Sequence, residues 1–209
     1  MMKWPKLPQE MQCNYSVYHR RIMASPYYES REDRSGKLFE HFLFGDITAG
    51  KNTIRYREML KKYAAKNQGK GNPAYLPFQD ALDLARDAQG GDPSSPQKKF
   101  MRDVREAVMR RMRLSEKEAR NLGIYSAVGT PLDVYHGVDA FVAFKQPQGK
   151  ERIVTMDATI NKEKIAEERI KAQIMIAEVP DPQEQAKEYQ TFVENIADKI
   201  VIELAREAH

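Results

Sequence analysis

Two neighbouring segments with alternating polarity, residues 138–145 and 152–160, constrain the fold of this chain more strongly than any other feature. Both are rich in valine, isoleucine, phenylalanine and threonine, which suit the pleated surface of a strand. Pro147 and Gly149 lie between the two segments and are typical of a tight connection. The sequence therefore predicts an antiparallel β-hairpin.

Alternation gives each predicted strand two faces, because successive side chains of a strand point in opposite directions. The apolar face, which is the natural core face, carries Val138, Ala140, Val142 and Phe144 on the first strand and Val154, Met156, Ala158 and Ile160 on the second. The opposite face carries Asp139 on the first strand and Asp157 on the second. A hairpin centred near Gln148 places these two aspartates almost directly opposite each other, with Cβ atoms roughly 5 Å apart.

An opposed pair of aspartates is costly in a sheet, because like charges repel and strands disfavour aspartate. A divalent cation removes that cost, since hard cations such as Mg²⁺ take carboxylate oxygens as ligands. We therefore expect a metal site at Asp139 and Asp157. Asp133, which follows Pro131, is either a third ligand or the cap of a turn. The alternative is a structural role for the pair. In that case one aspartate sits at a strand end and caps a turn, or a shifted register separates the two residues.

Helical spacing of apolar residues accounts for most of the remaining chain. Helices are predicted at residues 37–44, 53–67, 77–89, 97–114, 115–123, 162–177 and 184–207, and one further strand is predicted at 124–128. Together with the hairpin, these elements predict an α+β or α/β fold in which several helices flank a small mixed central sheet.

The run GGDPSSP is the clearest linker in the chain and predicts a boundary near residue 92. Residues 1–92 would then form a mainly helical region with an irregular aromatic and basic N-terminal arm, which includes Tyr15 and Tyr18. Residues 93–209 would form an α/β core that ends in a long helix. The alternative is one continuous domain with a long surface loop.

The segment GTPLDVYHGVDAFVAFKQ, followed by KERIVTMDATINKEK, resembles the core of the PD-(D/E)XK nuclease superfamily. That superfamily places an aspartate on one hairpin strand and a (D/E)xK element on the next. The resemblance implies a restriction-endonuclease-like fold, with Asp139 and Asp157 as catalytic residues that bind Mg²⁺ or Mn²⁺. Thr159 stands where the lysine is expected, so Lys162 or Lys164, just beyond, would assist the attacking water. A degenerate site that only binds is the alternative.

The same superfamily sometimes adds a glutamate from a helix that precedes the sheet. Glu40, Glu106 and Glu118 are the candidates here. Glu118 also completes a capping-box pattern with Ser115, and Glu106 lies on the polar face of its predicted helix. The sequence does not choose among the three.

The predicted helix at 97–114 carries seven basic residues against two acidic ones, in a chain whose net charge is only +4. Lysine and arginine bind nucleic-acid phosphates without reading the base sequence. The candidate nucleic-acid contacts are Lys98, Lys99, Arg102, Arg105, Arg110 and Arg113. DNA or RNA is therefore the expected partner, and a solvated helix face is the alternative explanation of the charge.

Residues 45–51 have the GxxxxGK spacing of a phosphate-binding loop. Asn52 follows, where such a loop has serine or threonine, and the preceding segment carries Glu40 and His41, which a buried strand disfavours. Nucleotide binding is therefore the least favoured of the three functions that the sequence suggests.

The most favoured function is that of a metal-dependent nuclease-like domain, an endonuclease or exonuclease acting on nucleic-acid phosphodiesters. The second is a non-catalytic nucleic-acid or protein interaction module.

Composition narrows the setting in which the protein acts. Cys13 is the only cysteine, which excludes a disulfide framework and a multi-cysteine zinc site. No apolar run approaches the roughly 18 residues that span a bilayer, and the N-terminal residues lack the apolar stretch of a signal peptide. We therefore expect a cytoplasmic protein without a membrane partner.

Overall fold

The computed structural model describes residues 31–47, 53–66, 75–160 and 171–206, with the backbone alone for residues 31–35. The described residues from Ser35 onward form one compact unit. The predicted N-terminal arm with Tyr15 and Tyr18 lies outside the described residues. The predicted boundary near residue 92 stays a prediction.

The described ranges contain seven helices and four strands, which confirms the predicted α+β class. The helices are α1 (Arg31–Phe44), α2 (Thr53–Lys66), α3 (Phe78–Asp87), α4 (Lys99–Met112), α5 (Glu116–Ala119), α6 (Pro131–His136) and α7 (Ala186–Ala205). The strands are β1 (Leu122–Ser126), β2 (Ala140–Lys145), β3 (Glu151–Ala158) and β4 (Ile174–Ile176). No helix in these ranges has the length and apolar character needed to cross a membrane.

Local signals set the bounds of the two short helices. The Ser115 side chain caps α5, and Glu118 completes the predicted capping box. Helix α6 was predicted only as a turn. The Thr130 side chain caps its start by accepting a hydrogen bond from the Leu132 N–H. Gly137 ends it in the left-handed conformation at φ 63°.

The four strands form one sheet in the order β1-β2-β3-β4. The first three are antiparallel neighbours, and Ala140 lies opposite Met156 as the predicted hairpin requires. Strand β4 runs parallel to β3 and lies within the segment 162–177, which was predicted to be helical. That prediction is wrong for β4, because a short apolar run such as IMI fits either period.

One face of the sheet packs against α4 and α7. Val142, Val154 and Met156 share a core there with Val104 and Val193, as the alternation predicted. A hydrogen bond of 2.7 Å from the Tyr189 hydroxyl to Asp103 joins α7 to α4 behind this core. This layer supports the sheet from behind the candidate site.

The opposite face of the sheet is also buried, although the alternation marked only one natural core face. Phe141 of β2 packs in a second core with Leu82 of α3 and Tyr56 of α2. Asp139 and Asp157, on this side of the hairpin, are each only 2% exposed. The predicted acidic pair therefore lies between the sheet and a second helical layer.

Polar contacts also hold the edge of β1 that faces away from β2. The Leu122 carbonyl accepts a hydrogen bond of 3.0 Å from the Arg105 Nε. The Ile124 N–H donates to the Pro93 carbonyl at 3.0 Å. The Gln89 side-chain amide bonds both the carbonyl of Ser126, at 2.8 Å, and its N–H, at 3.3 Å.

Candidate metal centre

Asp139 lies directly before β2, and hydrogen bonds to residues at the ends of β1 and β3 hold it in place. Its N–H donates to the Met156 carbonyl at 2.9 Å, and its own carbonyl accepts from the Ala127 N–H at 2.7 Å. Its carboxylate accepts a third bond, of 2.7 Å, from the Ala158 N–H. Backbone and side chain are thus fixed in one position inside the protein.

Three carboxylates from separate elements meet around this position. Glu40 comes from α1, Asp133 from α6, and Asp139 from the position directly before β2. One oxygen of each lies within 4.8 Å of one oxygen of each of the others. Asp139 is buried, and Glu40 and Asp133 are half-buried. A single cation could therefore be coordinated by one carboxylate oxygen from each of the three residues.

The electrostatics of this centre disfavour a charged Asp139 in the absence of a cation. Burial, followed by the charges of Glu40 and Asp133, raises the pKa of the Asp139 carboxyl to about 9. The bond from the Ala158 N–H acts in the opposite direction, and Asp157 adds a smaller upward effect. At neutral pH this carboxyl therefore holds a proton that a bound cation would have to displace.

Asp133 has the turn contact that the sequence offered as one of its two roles. Its Oδ2 accepts a hydrogen bond of 2.8 Å from the Gly129 N–H, which fixes the turn before α6. The same carboxylate is a member of the three-carboxylate group, so this bond also orients it within the group.

Asp157 lies on β3, opposite Met175 of β4. The hairpin register brings it beside Asp139, but the group that meets within 4.8 Å contains Glu40 and Asp133 rather than Asp157. Thr159, which stands where the superfamily has lysine, is only 6% exposed, and its N–H bonds the Ile176 carbonyl at 2.9 Å. The predicted residues Lys162 and Lys164 lie outside the described residues.

Of the three candidate helix glutamates, the structure brings Glu40 to the centre. Glu118 instead accepts a 2.9 Å bond from the Ser115 N–H as part of the cap of α5. Glu106 is exposed on α4. The sequence could not choose Glu40 because its contact with Asp139 joins residues that are far apart in the chain.

Tyr56 of α2 is a neighbour of this centre that the sequence did not single out. Burial, followed by the carboxylates of Asp46 and Asp133, raises the pKa of its hydroxyl to about 12. The phenol is therefore a neutral hydrogen-bond donor near the acidic group. Tyr56 lies on the apolar side of an amphipathic helix, so its pattern is that of an ordinary core residue.

Several predicted nucleic-acid contacts on α4 hold the fold together. Arg105 donates from Nε to the Leu122 carbonyl at 3.0 Å and from Nη2 to the Ala119 carbonyl at 2.5 Å. Arg110 forms an ion pair of 2.6 Å with Glu194 of α7. Much of the helix charge therefore faces partners within the protein.

The remaining basic residues of this helix differ in exposure. Lys99 pairs with Asp103 at 2.5 Å. Lys98 is half-buried, and burial lowers the pKa of its ammonium. Arg102 and Arg113 are exposed at the surface, and Arg102 donates only a long bond of 3.3 Å to the Gln97 carbonyl. Both arginines have the surface exposure that a phosphate contact requires.

The GxxxxGK segment at residues 45–51, the least favoured of the candidate sites, does not follow the strand that a phosphate-binding loop requires. Helix α1, rather than a strand, leads into Gly45. Phosphate-binding loops of this type follow a buried strand. Residues 48–52 lie outside the described residues.

No protein-family model, no curated protein and no solved structure matches this chain.

Proposed function

We propose that this protein binds Mg²⁺ or Mn²⁺ at Glu40, Asp133 and Asp139 and hydrolyses phosphodiester bonds in nucleic acid. The observation that carries the proposal is the convergence of three carboxylate oxygens within 4.8 Å, from three separate elements. One of these side chains, Asp139, is only 2% exposed. Buried like charges oppose folding unless a proton or a cation compensates them.

A divalent ion at such a centre supplies a Lewis acid and an activated water for phosphoryl transfer. The protein's own residues hold that chemistry in place. The bonds of Asp139 to Met156, Ala127 and Ala158 fix one ligand, and the Gly129 N–H fixes Asp133. These contacts favour a preorganised ligand set.

The resemblance to the PD-(D/E)XK superfamily supports the same function. It implies an aspartate at the first hairpin strand, an acidic residue on the second and a glutamate from a preceding helix. Under that resemblance, Asp139 and Asp157 would supply the two hairpin acids, and Glu40 of α1 would supply the helix glutamate. Lys162 and Lys164 remain the proposed lysines, and exposed Arg102 and Arg113 remain proposed contacts to the nucleic-acid backbone.

A non-catalytic nucleic-acid-binding module is the second candidate. The observation that favours it is Thr159, a buried residue at the position where the superfamily has its lysine. Such a module would retain the acidic centre as a structural cation site. Cleavage, rather than binding, distinguishes the two functions.

The test uses the full chain with labelled single-stranded and duplex DNA and RNA, in Mg²⁺, Mn²⁺ or EDTA. We expect metal-dependent cleavage that is lost in Asp139→Asn and retained in Glu106→Gln, which neutralises an exposed acid on α4. Isothermal titration with Mn²⁺ provides a readout besides activity, and only Asp139→Asn should lose the binding. Cleavage that persists in Asp139→Asn would show that the centre is wrongly assigned. Nucleic-acid binding with Mn²⁺ binding but no cleavage would favour the module.

A further inference from the structure

Four neighbouring rings form a surface that we name the aromatic ledge: Tyr75, Phe78, Tyr135 and His136. Tyr75 meets Tyr135 edge-to-face, with ring centroids 5.6 Å apart. The His136 ring lies 5.5 Å from Phe78 and 5.7 Å from Tyr75. The rings thus form one continuous cluster rather than isolated surface residues.

The ledge is both anchored and exposed. The His136 Nε2 lies 2.9 Å from the carbonyl of Leu76, a fully buried residue, which ties α6 to the segment before α3. Tyr75 is nevertheless 42% exposed and Phe78 is 43% exposed. Large aromatic surface left in water by an anchored cluster is typical of a binding site.

Two further features indicate what the ledge binds. Helix α6 carries both the ledge residues Tyr135 and His136 and the acidic residue Asp133. Lys171, which is exposed, donates a bond of 3.3 Å to the backbone carbonyl of Tyr135, so its ammonium lies at the backbone of a ledge residue. Aromatic rings next to a cation are the usual combination for binding single-stranded nucleic acid, in which bases stack and phosphates pair with the charge.

We propose that the aromatic ledge stacks unpaired bases of a single-stranded nucleic acid, while Lys171 contacts its backbone next to the Glu40–Asp133–Asp139 centre. The choice of ligand rests on the proposed function. Bases within a duplex already stack on each other and cannot offer their faces to a protein ring. The ledge therefore gives the protein a preference for single strands, or for unpaired ends, over duplex.

The test measures fluorescence anisotropy of a labelled single-stranded oligonucleotide, DNA or RNA, with the full chain in EDTA. Tyr75→Leu and Phe78→Leu keep apolar volume but remove the ring, and each should weaken binding roughly tenfold. Tyr75→Trp should retain it. Phe42→Leu is the matched control, because Phe42 of α1 is 44% exposed and lies outside the ledge. Thermal unfolding of each variant checks that the fold is intact.

An abasic oligonucleotide of equal length separates stacking from charge. It should bind the wild-type chain weakly and be insensitive to Tyr75→Leu. Equal binding of the abasic and intact oligonucleotides, or unchanged affinity of both leucine variants, would overturn the ledge. Oligonucleotide binding that depends on the ledge, without metal-dependent cleavage, would contradict only the proposed function. Metal-dependent cleavage that the ledge variants do not change would contradict only the ledge proposal.

Discussion

The carboxylate of Asp139 accepts a hydrogen bond of 2.7 Å from the backbone N–H of Ala158, so the acid at the start of β2 is bound to the end of β3. This bond supports the charged form of Asp139, whereas burial and the neighbouring acids oppose it. An asparagine could accept the same bond through its side-chain oxygen and carry no charge. The residue can therefore be neutralised without removing its contact.

Asp139→Asn should raise the stability of the metal-free protein at pH 8. The change removes the cost of the proton or charge at a buried site while the bond to Ala158 is kept. For a chain of this size each 1 kcal/mol raises Tm by about 2–4 °C. Differential scanning calorimetry in EDTA measures the shift. A lower Tm in Asp139→Asn would show that the carboxylate is stabilised by contacts other than those described.

The wild-type protein without metal should lose stability as the pH rises, relative to Asp139→Asn. The pKa of Asp139 is raised from 3.8 to about 9 in the folded state, so the folded protein binds one proton more than the unfolded chain between those values. The stabilising contribution is complete below the unfolded pKa and is lost as the pH rises through about 9. Urea unfolding of both proteins from pH 6 to 9 gives the difference. Parallel curves would contradict the raised pKa.

Mn²⁺ should stabilise the wild-type protein but stabilise Glu40→Gln less. A ligand that binds only the folded state adds about 2.7 kcal/mol at a concentration of 100 times its Kd. Glu40 supplies one of the three oxygens, so its amide variant should bind the ion more weakly. Glu106→Gln, an exposed change on α4, is the control. Equal Tm shifts in the two variants would exclude Glu40 from the centre.

Arg105→Met should destabilise the protein without changing its affinity for nucleic acid. The change leaves the carbonyls of Leu122 and Ala119 without their donor, which costs about 1–3 kcal/mol for buried groups. Arg102→Met should have little effect on stability, because Arg102 is exposed and donates one long hydrogen bond. It should lower nucleic-acid affinity and reduce the salt slope by about one unit. Denaturant unfolding and binding titrations at several salt concentrations measure both effects.

Glu194→Gln should lower stability slightly and strengthen nucleic-acid binding. Glu194 accepts bonds from Arg110 at 2.6 Å and from Arg111 at 3.2 Å. Partly exposed ion pairs of this kind contribute up to about 1 kcal/mol each. The variant frees Arg110 for phosphate, whereas Arg111 keeps its ion pair of 3.0 Å with Asp198, so affinity should rise modestly, and most at low salt. Glu188→Gln, which neutralises an exposed acid on the same helix, is the control. Unchanged affinity in Glu194→Gln would argue against a role for this end of α4.

The hairpin could be predicted from the sequence because its signals are local. The alternation indicates which side chains share a face, and Pro147 and Gly149 indicate where the chain turns. Together they predict the pairing of Ala140 with Met156. The same reasoning could not show that both faces are buried, because burial of the second face depends on α2 and α3, which come from distant sequence.

The candidate site, like the hairpin, could be predicted only in part from the sequence. Asp139 and Asp133 could be selected from their neighbours in the chain, and the structure brings both to the centre. The meeting of Glu40 with them could not be predicted, because it depends on how α1 packs rather than on any spacing. Strand β4 was missed because a short apolar segment after a charged one fits a helix equally well.

The contacts along the outer edge of β1 have a consequence for how copies of this protein behave in a crowded solution. An open strand edge is a template on which another chain can add its own strand, and this is how many β proteins begin to aggregate. Here a second chain would first have to displace Arg105, the Pro93 carbonyl and the Gln89 amide. These three residues therefore act as a barrier to polymerisation at that edge, and their loss would increase aggregation even where the folded structure survived.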